Sequence, residues 1–105
     1  MPHHGKKLGI LLAASPRQRN FEHGLRLAET ALAAGVDVYL YCIDDGVCGV
    51  DDARLQQLRA RGLKLYACAY GAHRRGIPLG NEAVFAGLTV VSDLMAATDR
   101  FVCFR

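Results

Sequence analysis

The residues in this chain whose types and spacing can do chemistry are Leu65-Tyr66-Ala67-Cys68-Ala69-Tyr70-Gly71-Ala72-His73-Arg74-Arg75-Gly76-Ile77, an apolar run ending at a cysteine and closed by two arginines. A parallel strand delivers its last residue to the crevice where α/β sheets hold ligands, and Cys68 ends such a run. If a helix follows, its free N–H groups and dipole favour an anion there. At Cys68 that anion is a thiolate, the nucleophilic form of the side chain. His73, Arg74 and Arg75 are the cations at hand, although on a helix none is bound to face Cys68, and a solvated helix end is the competing reading for at least one arginine. For Cys68 itself the competing reading is a small apolar side chain in a core, where free cysteine is common.

The elements that must position this segment alternate strand with helix, the signal of an α/β fold, with no linker, repeat or low-complexity block. Residues 8–14 read as a buried first strand and 15–20 as a turn. Phe21, Leu25, Ala28 and Leu32 then recur at helical spacing as far as Gly35. Residues 36–43, rich in β-branched and aromatic side chains, form strand two, and 44–49 its exit loop. A second helix begins near Asp52 with Leu55 and Leu58 inward. Asp51 and Asp52 at its start and Arg59 and Arg61 near its end suit the helix dipole, and Gly62 ends it. Strand three is 63–67, delivering Cys68. A helical piece is expected over 81–86, stopping at Gly87, and residues 88–91 read as a short strand. Ser92 is placed to cap a last helix reaching Thr98, and 101–104 close the sheet as strand five. Helical crossovers between strands imply a parallel sheet with helices on both faces.

At 105 residues the chain is one domain, residues 1–105, with 1–5 expected to be a flexible N-terminus. Hydrophobic residues are 51% and charged residues 22%, a globular composition. The net charge of +3 comes without a clustered basic stripe or interleaved aromatics, so direct nucleic-acid binding is not indicated. Lys6-Lys7 followed by an apolar run superficially resembles a signal peptide, but a buried first strand explains it better. No segment has transmembrane length, so the expected location is the cytoplasm, with no membrane partner. There the four cysteines, Cys42, Cys48, Cys68 and Cys103, are reduced; none forms a C-x-x-C pair. Cys42 and Cys103 lie within strands and read as core residues.

Other constellations are weaker. Residues 15–20, with Arg17 and Arg19, could cradle a phosphate or the nucleotide of a flavin-binding module, yet they lack the glycines that let backbone N–H groups wrap an anion, and a plain turn is the better reading. His3, His4, His23 and His73 show no metal-ligand spacing. Asp44 and Asp45 are adjacent on an extended chain and point apart, against a shared-proton dyad. No metal and no cofactor are expected.

The chain resembles the DsrE/DsrF-like sulfur-relay family, and within it the subunit type that carries the persulfide cysteine. Ile43-Asp44-Asp45-Gly46-Val47 is similar to the family's strand-two exit. The segment from Cys68 to Ile77 matches its active-site pattern of a cysteine, small residues and an Arg-Arg-Gly-aliphatic close. Residues 88–97 resemble its apolar stretch before the final strand, and Asp99-Arg100-Phe101-Val102-Cys103-Phe104 its C-terminal ending. The resemblance implies a three-layer α/β/α domain with a five-stranded, mainly parallel sheet. It also implies a sulfurtransferase subunit that accepts a sulfane sulfur on Cys68 and hands it to a partner thiol, with donor and acceptor carrier proteins as partners and a trimeric or hexameric homo-oligomer as its assembly. Sulfur transfer needs one thiolate and then one reachable persulfide, so a single cysteine suffices. Cys48 stands in a loop where the family pattern leads one to expect an aromatic or aliphatic residue. Lying at the same end of the sheet as Cys68, it is either a resolving thiol or a loop cysteine with no role. The reading from another class is a non-catalytic oligomeric binding or scaffold subunit in which Cys68 is inert.

Overall fold

Residues 4–105 are described by the computed structural model, so residues 1–3 of the N-terminus expected to be flexible lie outside the described residues. The chain runs β1 (Lys7–Leu12), α1 (Arg19–Ala33), β2 (Asp37–Cys42), a 3₁₀ turn (Asp44–Gly49), α2 (Ala53–Ala60), β3 (Lys64–Cys68), α3 (Ala69–Arg74), β4 (Val84–Ala86), α4 (Thr89–Ala97) and β5 (Arg100–Phe104). All strand pairs are parallel, in the order β4-β3-β2-β1-β5. This is the α/β fold with a five-stranded parallel sheet that the alternating pattern implies.

Register explains how the two faces differ. Leu8, Ile10 and Leu12 stand beside Val38, Leu40 and Cys42 on one face. Side chains alternate along a strand, so all six point the same way. Five of them are essentially inaccessible, Leu8 being half-buried, and α1 covers them with Phe21, Leu25 and Ala28. Gly24 brings α1 so close that a Cβ there would lie 3.1 Å from the Leu12 side chain. α2 packs beside α1. On the opposite face α4 crosses β1 and β5, the side on which a right-handed return from β4 to the far edge must run. That face is thinly covered. Tyr39 and Tyr66 are half-buried and Val84 is 57% exposed.

Helices α1 and α2 stop where the glycines predict: Gly35 (φ 85°) and Gly62 (φ 113°) take the left-handed conformation that ends a helix. Asp52 caps α2 by accepting the Arg54 N–H at 2.9 Å. Arg54 also bonds the carboxylate with its side chain and holds it below its ordinary 3.8. A carboxyl whose folded pKa is depressed contributes stability above its unfolded pKa and loses it as pH falls through the folded value. Asp52→Ala is expected to lower stability by about 1 kcal/mol at neutral pH. In urea titrations the gap to wild type should close below roughly pH 4.

The C-terminal third departs from the sequence reading. The expected helical piece over 81–86 is instead strand β4, because Val84, Phe85 and Ala86 pair with the open edge of β3. The expected strand over 88–91 is the first turn of α4. Both edges of β1 are already taken, and Val90, Val91 and Leu94 come to one helical face that packs on the sheet. Tertiary pairing overrides the β propensity of Thr89, Val90 and Val91. Ser92 therefore lies inside α4 rather than capping it; the N-cap is Leu88, with no side-chain cap. Cys103 is also corrected. It stands beside Leu11 on the thinly covered face and is exposed, whereas Cys42 is buried as expected.

Candidate functional site

Cys68 is both the last residue of β3 and the N-cap of α3. Its Sγ accepts the Gly71 N–H at 3.3 Å, so a backbone donor is aimed at the sulfur. The residue is 6% exposed and forms part of the wall of an open cleft of about 570 Å³. That cleft lies between the 3₁₀ turn, α3 and the start of α4, with Ile43, Asp44, Tyr70, Arg74, Arg75 and Leu88 around it. Strand order turns back between β1 and β5, where open α/β sheets commonly hold ligands. The cysteine cleft is not at that point but at the end of β3.

Two of the three expected cations reach the cleft. Arg75 donates to the Gly71 carbonyl at 3.3 Å and to Asp45 Oδ1 at 3.3 Å, which ties α3 to the 3₁₀ turn. Arg74 stacks over the Tyr70 ring with its guanidinium carbon 5.9 Å from the centroid. His73 is exposed and does not line the cleft. Asp44 and Asp45 oppose the two arginines, so the site carries both signs of charge and is not an anion trap. Asp44 adopts φ 51°, the left-handed region, as the chain turns sharply out of β2. Gly46, two residues on, crosses directly over the Leu12 carbonyl, and any Cβ there would collide with it.

Cys48 does not share this cleft. It is exposed on the 3₁₀ turn and lines a separate depression of about 110 Å³ with Glu82, Val50 and Ile77. Cys42 points into the core, and burial pushes its thiol up to about 12. It is expected to stay unalkylated when native protein is treated with iodoacetamide at pH 8 and to react fully in denaturant, as peptide mass mapping would read. Residues 15–18 form a turn, with Gln18 N–H donating to the Ser15 carbonyl and the Gln18 side chain accepting from Ser15 N–H, while Arg19 and Asn20, expected in the turn, already begin α1. Among the described residues no cluster of metal-ligating side chains occurs.

One residue of the site escapes sequence reasoning. Tyr41 of β2 is fully buried, and its hydroxyl donates to the carbonyls of Ala86 at 2.9 Å and Gly87 at 3.2 Å. Register places it: Tyr41 is paired with Tyr66, and Cys68 with Ala86, so the phenol spans β3 at the level of Cys68 to reach β4. Burial raises its pKa, and the neighbouring Cys68 raises it further. The available signal was a tyrosine between Leu40 and Cys42 at the apolar end of β2, where a buried hydroxyl needs a partner.

Residues 6–104 match the family model described as the DsrE/DsrF-like family. The ychN protein from E. coli has a crystal structure to which this chain is similar, with a TM-score of 0.80 at 20% identity over 94% of this chain and 99% of that one. The protein BT1422 from Bacteroides thetaiotaomicron, described as a conserved protein of unknown function, superposes with a TM-score of 0.77 at 14% identity, over 94% of this chain and 95% of that one. At such identities the likeness shows a shared fold. No curated protein matches the sequence.

Proposed function

The chain belongs to the DsrE/DsrF-like family, which is associated with sulfur relay, and we propose that within it this protein is a persulfide carrier working through Cys68. The observation that supports this reading is a cysteine sulfur at a strand end, hydrogen-bonded by a backbone N–H and bordering a cleft that also holds two arginines. In the first step the Cys68 thiolate attacks the outer sulfur of a donor persulfide. The Cys68–sulfur bond forms, the donor's sulfur–sulfur bond breaks, and its electron pair leaves on the donor thiolate. In the second step an acceptor thiolate attacks the outer sulfur, and Cys68 departs as thiolate. Neither step changes the net redox state. Donor and acceptor are then carrier proteins whose thiols enter the cleft. The protein would work in the reducing cytoplasm, and among the described residues no helix is long and apolar enough to cross a membrane.

The non-catalytic reading rests on a different observation. Tyr70, Leu79, Val84, Leu88 and Met95 are large apolar side chains left exposed, and such surface is what a scaffold subunit buries in a homo-oligomer. A trimer or hexamer is compatible with both readings. Incubating reduced protein with a sulfane-sulfur donor and weighing it separates them. One added sulfur atom, mapped to the Cys68 peptide and removed by a small thiol, is the expected result. Protein that gains no sulfur, or gains it on Cys48 or Cys103 instead, overturns the carrier reading.

A further inference from the structure

Cys68 is only 6% exposed, so a group that reaches its sulfur must do so on a slender stem. The cleft beside it, about 570 Å³, is far roomier than a sulfur atom needs and falls in the range of roughly 300–1,000 Å³ of small-molecule sites. Its charged groups divide into committed and free. Arg75 is committed, held by Asp45 Oδ1 and the Gly71 carbonyl at 3.3 Å each. Asp44 and Arg74 line the same cleft, and among the described residues neither side chain has a hydrogen-bond or ion-pair partner. Arg74 lies over the face of the Tyr70 ring, a stacking that leaves its N–H edge open to a carboxylate. The two charges come from different elements, Asp44 from the 3₁₀ turn after β2 and Arg74 from α3 after β3. At Asp44 the backbone is left-handed, φ 51°, where glycine is the least crowded choice, and the chain carries a carboxylate there instead. Exposed Tyr70 and Leu88 and half-buried Ile43 make the rest of the lining apolar.

We infer that the cleft takes the persulfide of a low-molecular-weight peptide thiol as a further sulfur donor, with Asp44 binding its ammonium group, Arg74 a carboxylate, and the persulfide end reaching Cys68. This rests on the carrier reading, in which Cys68 is the reacting group, and adds a small donor to the carrier proteins named there. The free charges select the class. Thiosulfate and inorganic polysulfide are anions only, so they would use Arg74 and leave Asp44 opposed to them. A cysteine in the interior of a protein chain brings neither an ammonium nor a carboxylate terminus with it. A short peptide such as glutathione brings both, on arms that flank its cysteine, and its methylenes suit the apolar lining. In the transfer the Cys68 thiolate attacks the terminal sulfur of the donor, R–S–SH. The bond from Cys68 to that sulfur forms, the donor's sulfur–sulfur bond breaks, and its electron pair leaves on the peptide thiolate. The proton stays on the transferred sulfur, and the net redox state is unchanged.

The test reads binding apart from transfer. S-methylglutathione, whose capped sulfur cannot react, is titrated calorimetrically into the full chain carrying Cys68→Ser. Saturable binding is expected. Adding Asp44→Asn or Arg74→Gln should weaken it about tenfold each, the loss of one charge-assisted contact. Arg26→Gln on α1, outside the cleft, removes the same charge as Arg74→Gln and should change nothing. Both cleft side chains are exposed, and asparagine tolerates the left-handed backbone as aspartate does, so these variants are expected to fold. A change on the ligand reads the same contact without touching Asp44. S-methylglutathione acetylated on its amino group should bind about tenfold more weakly than the free amine, and Asp44→Asn should abolish that difference. No binding, or binding indifferent to Asp44, to Arg74 and to acetylation, overturns the inference. The two claims fail separately. Binding by the serine variant with no sulfur loading of wild type leaves the peptide-thiol site and removes the carrier, whereas loading from a protein donor with no binding of S-methylglutathione leaves the carrier and removes the site.

Discussion

Cys68→Ala is expected to abolish sulfane-sulfur loading, with the mass gain falling to background, a loss of roughly a thousandfold or more, as for removal of other covalent nucleophiles. The argument needs a control for folding, because Cys68 is also the N-cap of α3 and its sulfur holds the Gly71 N–H. Alanine cannot accept that bond, and losing a cap costs about 1 kcal/mol. Cys68→Ser separates the two roles. Serine is a better cap than alanine and keeps an acceptor for Gly71, but its hydroxyl is not ionised near neutral pH and cannot carry a persulfide. The serine variant should match wild type in urea denaturation and load no sulfur. If it loads sulfur, another cysteine is the carrier, and exposed Cys48 is the first to examine.

The second large effect is on the frame of the site. Gly46→Val is expected to destabilise the protein by about 3 kcal/mol, at the upper end of the usual cost of overpacking. The Leu12 carbonyl beneath Gly46 already accepts the Ile43 N–H at 3.0 Å. A side chain at this position must push the 3₁₀ turn off the end of β1 or break that bond, and a buried polar group left unpaired costs roughly 1–3 kcal/mol by itself. The same displacement carries Asp45 away from Arg75, so the 3.3 Å ion pair that ties the turn to α3 should be lost. A variant that unfolds at the wild-type urea midpoint would show that the turn has room to move. One that folds near the wild-type midpoint but loads sulfur slowly would show that the turn serves the cleft more than the fold.

Why parts of this were legible in the sequence and others were not follows from the kind of signal each carried. Strands β1 to β3 and helices α1 and α2 announce themselves through apolar spacing, acidic residues at the start of α2 and glycine stops, all local features that tertiary packing then reinforces. The position of Cys68 at the end of β3 was legible because a cysteine ended an apolar run and small residues followed. The region of residues 81–92 was misread because its local chemistry, Asn81 before and Gly87 after a short apolar stretch, suits a helix, while the open edge of β3 rewards extended pairing more. That reward depends on a strand distant in sequence, so no window of neighbours contains it. The same holds for the cations. Arg74, Arg75 and His73 are consecutive, and only the orientation of a six-residue helix against the 3₁₀ turn sends two of them to the cleft and one to solvent. Tyr41 went unread because its partners, Ala86 and Gly87, are backbone atoms across the sheet.

The pairing of β1 with β5 is expected to set the pace of folding. Asp99 accepts the Lys7 N–H, and Leu8 lies beside Arg100, so the pairing that completes one edge of the sheet joins residues about ninety positions apart. Such contacts repay their loop-closure entropy only once most of the chain has been gathered. The first strand therefore waits, half-edged, until the last arrives. A slow collapse governed by that late docking is the kinetic cost of a topology that puts one terminus's strand between the other's and its own nearest neighbour.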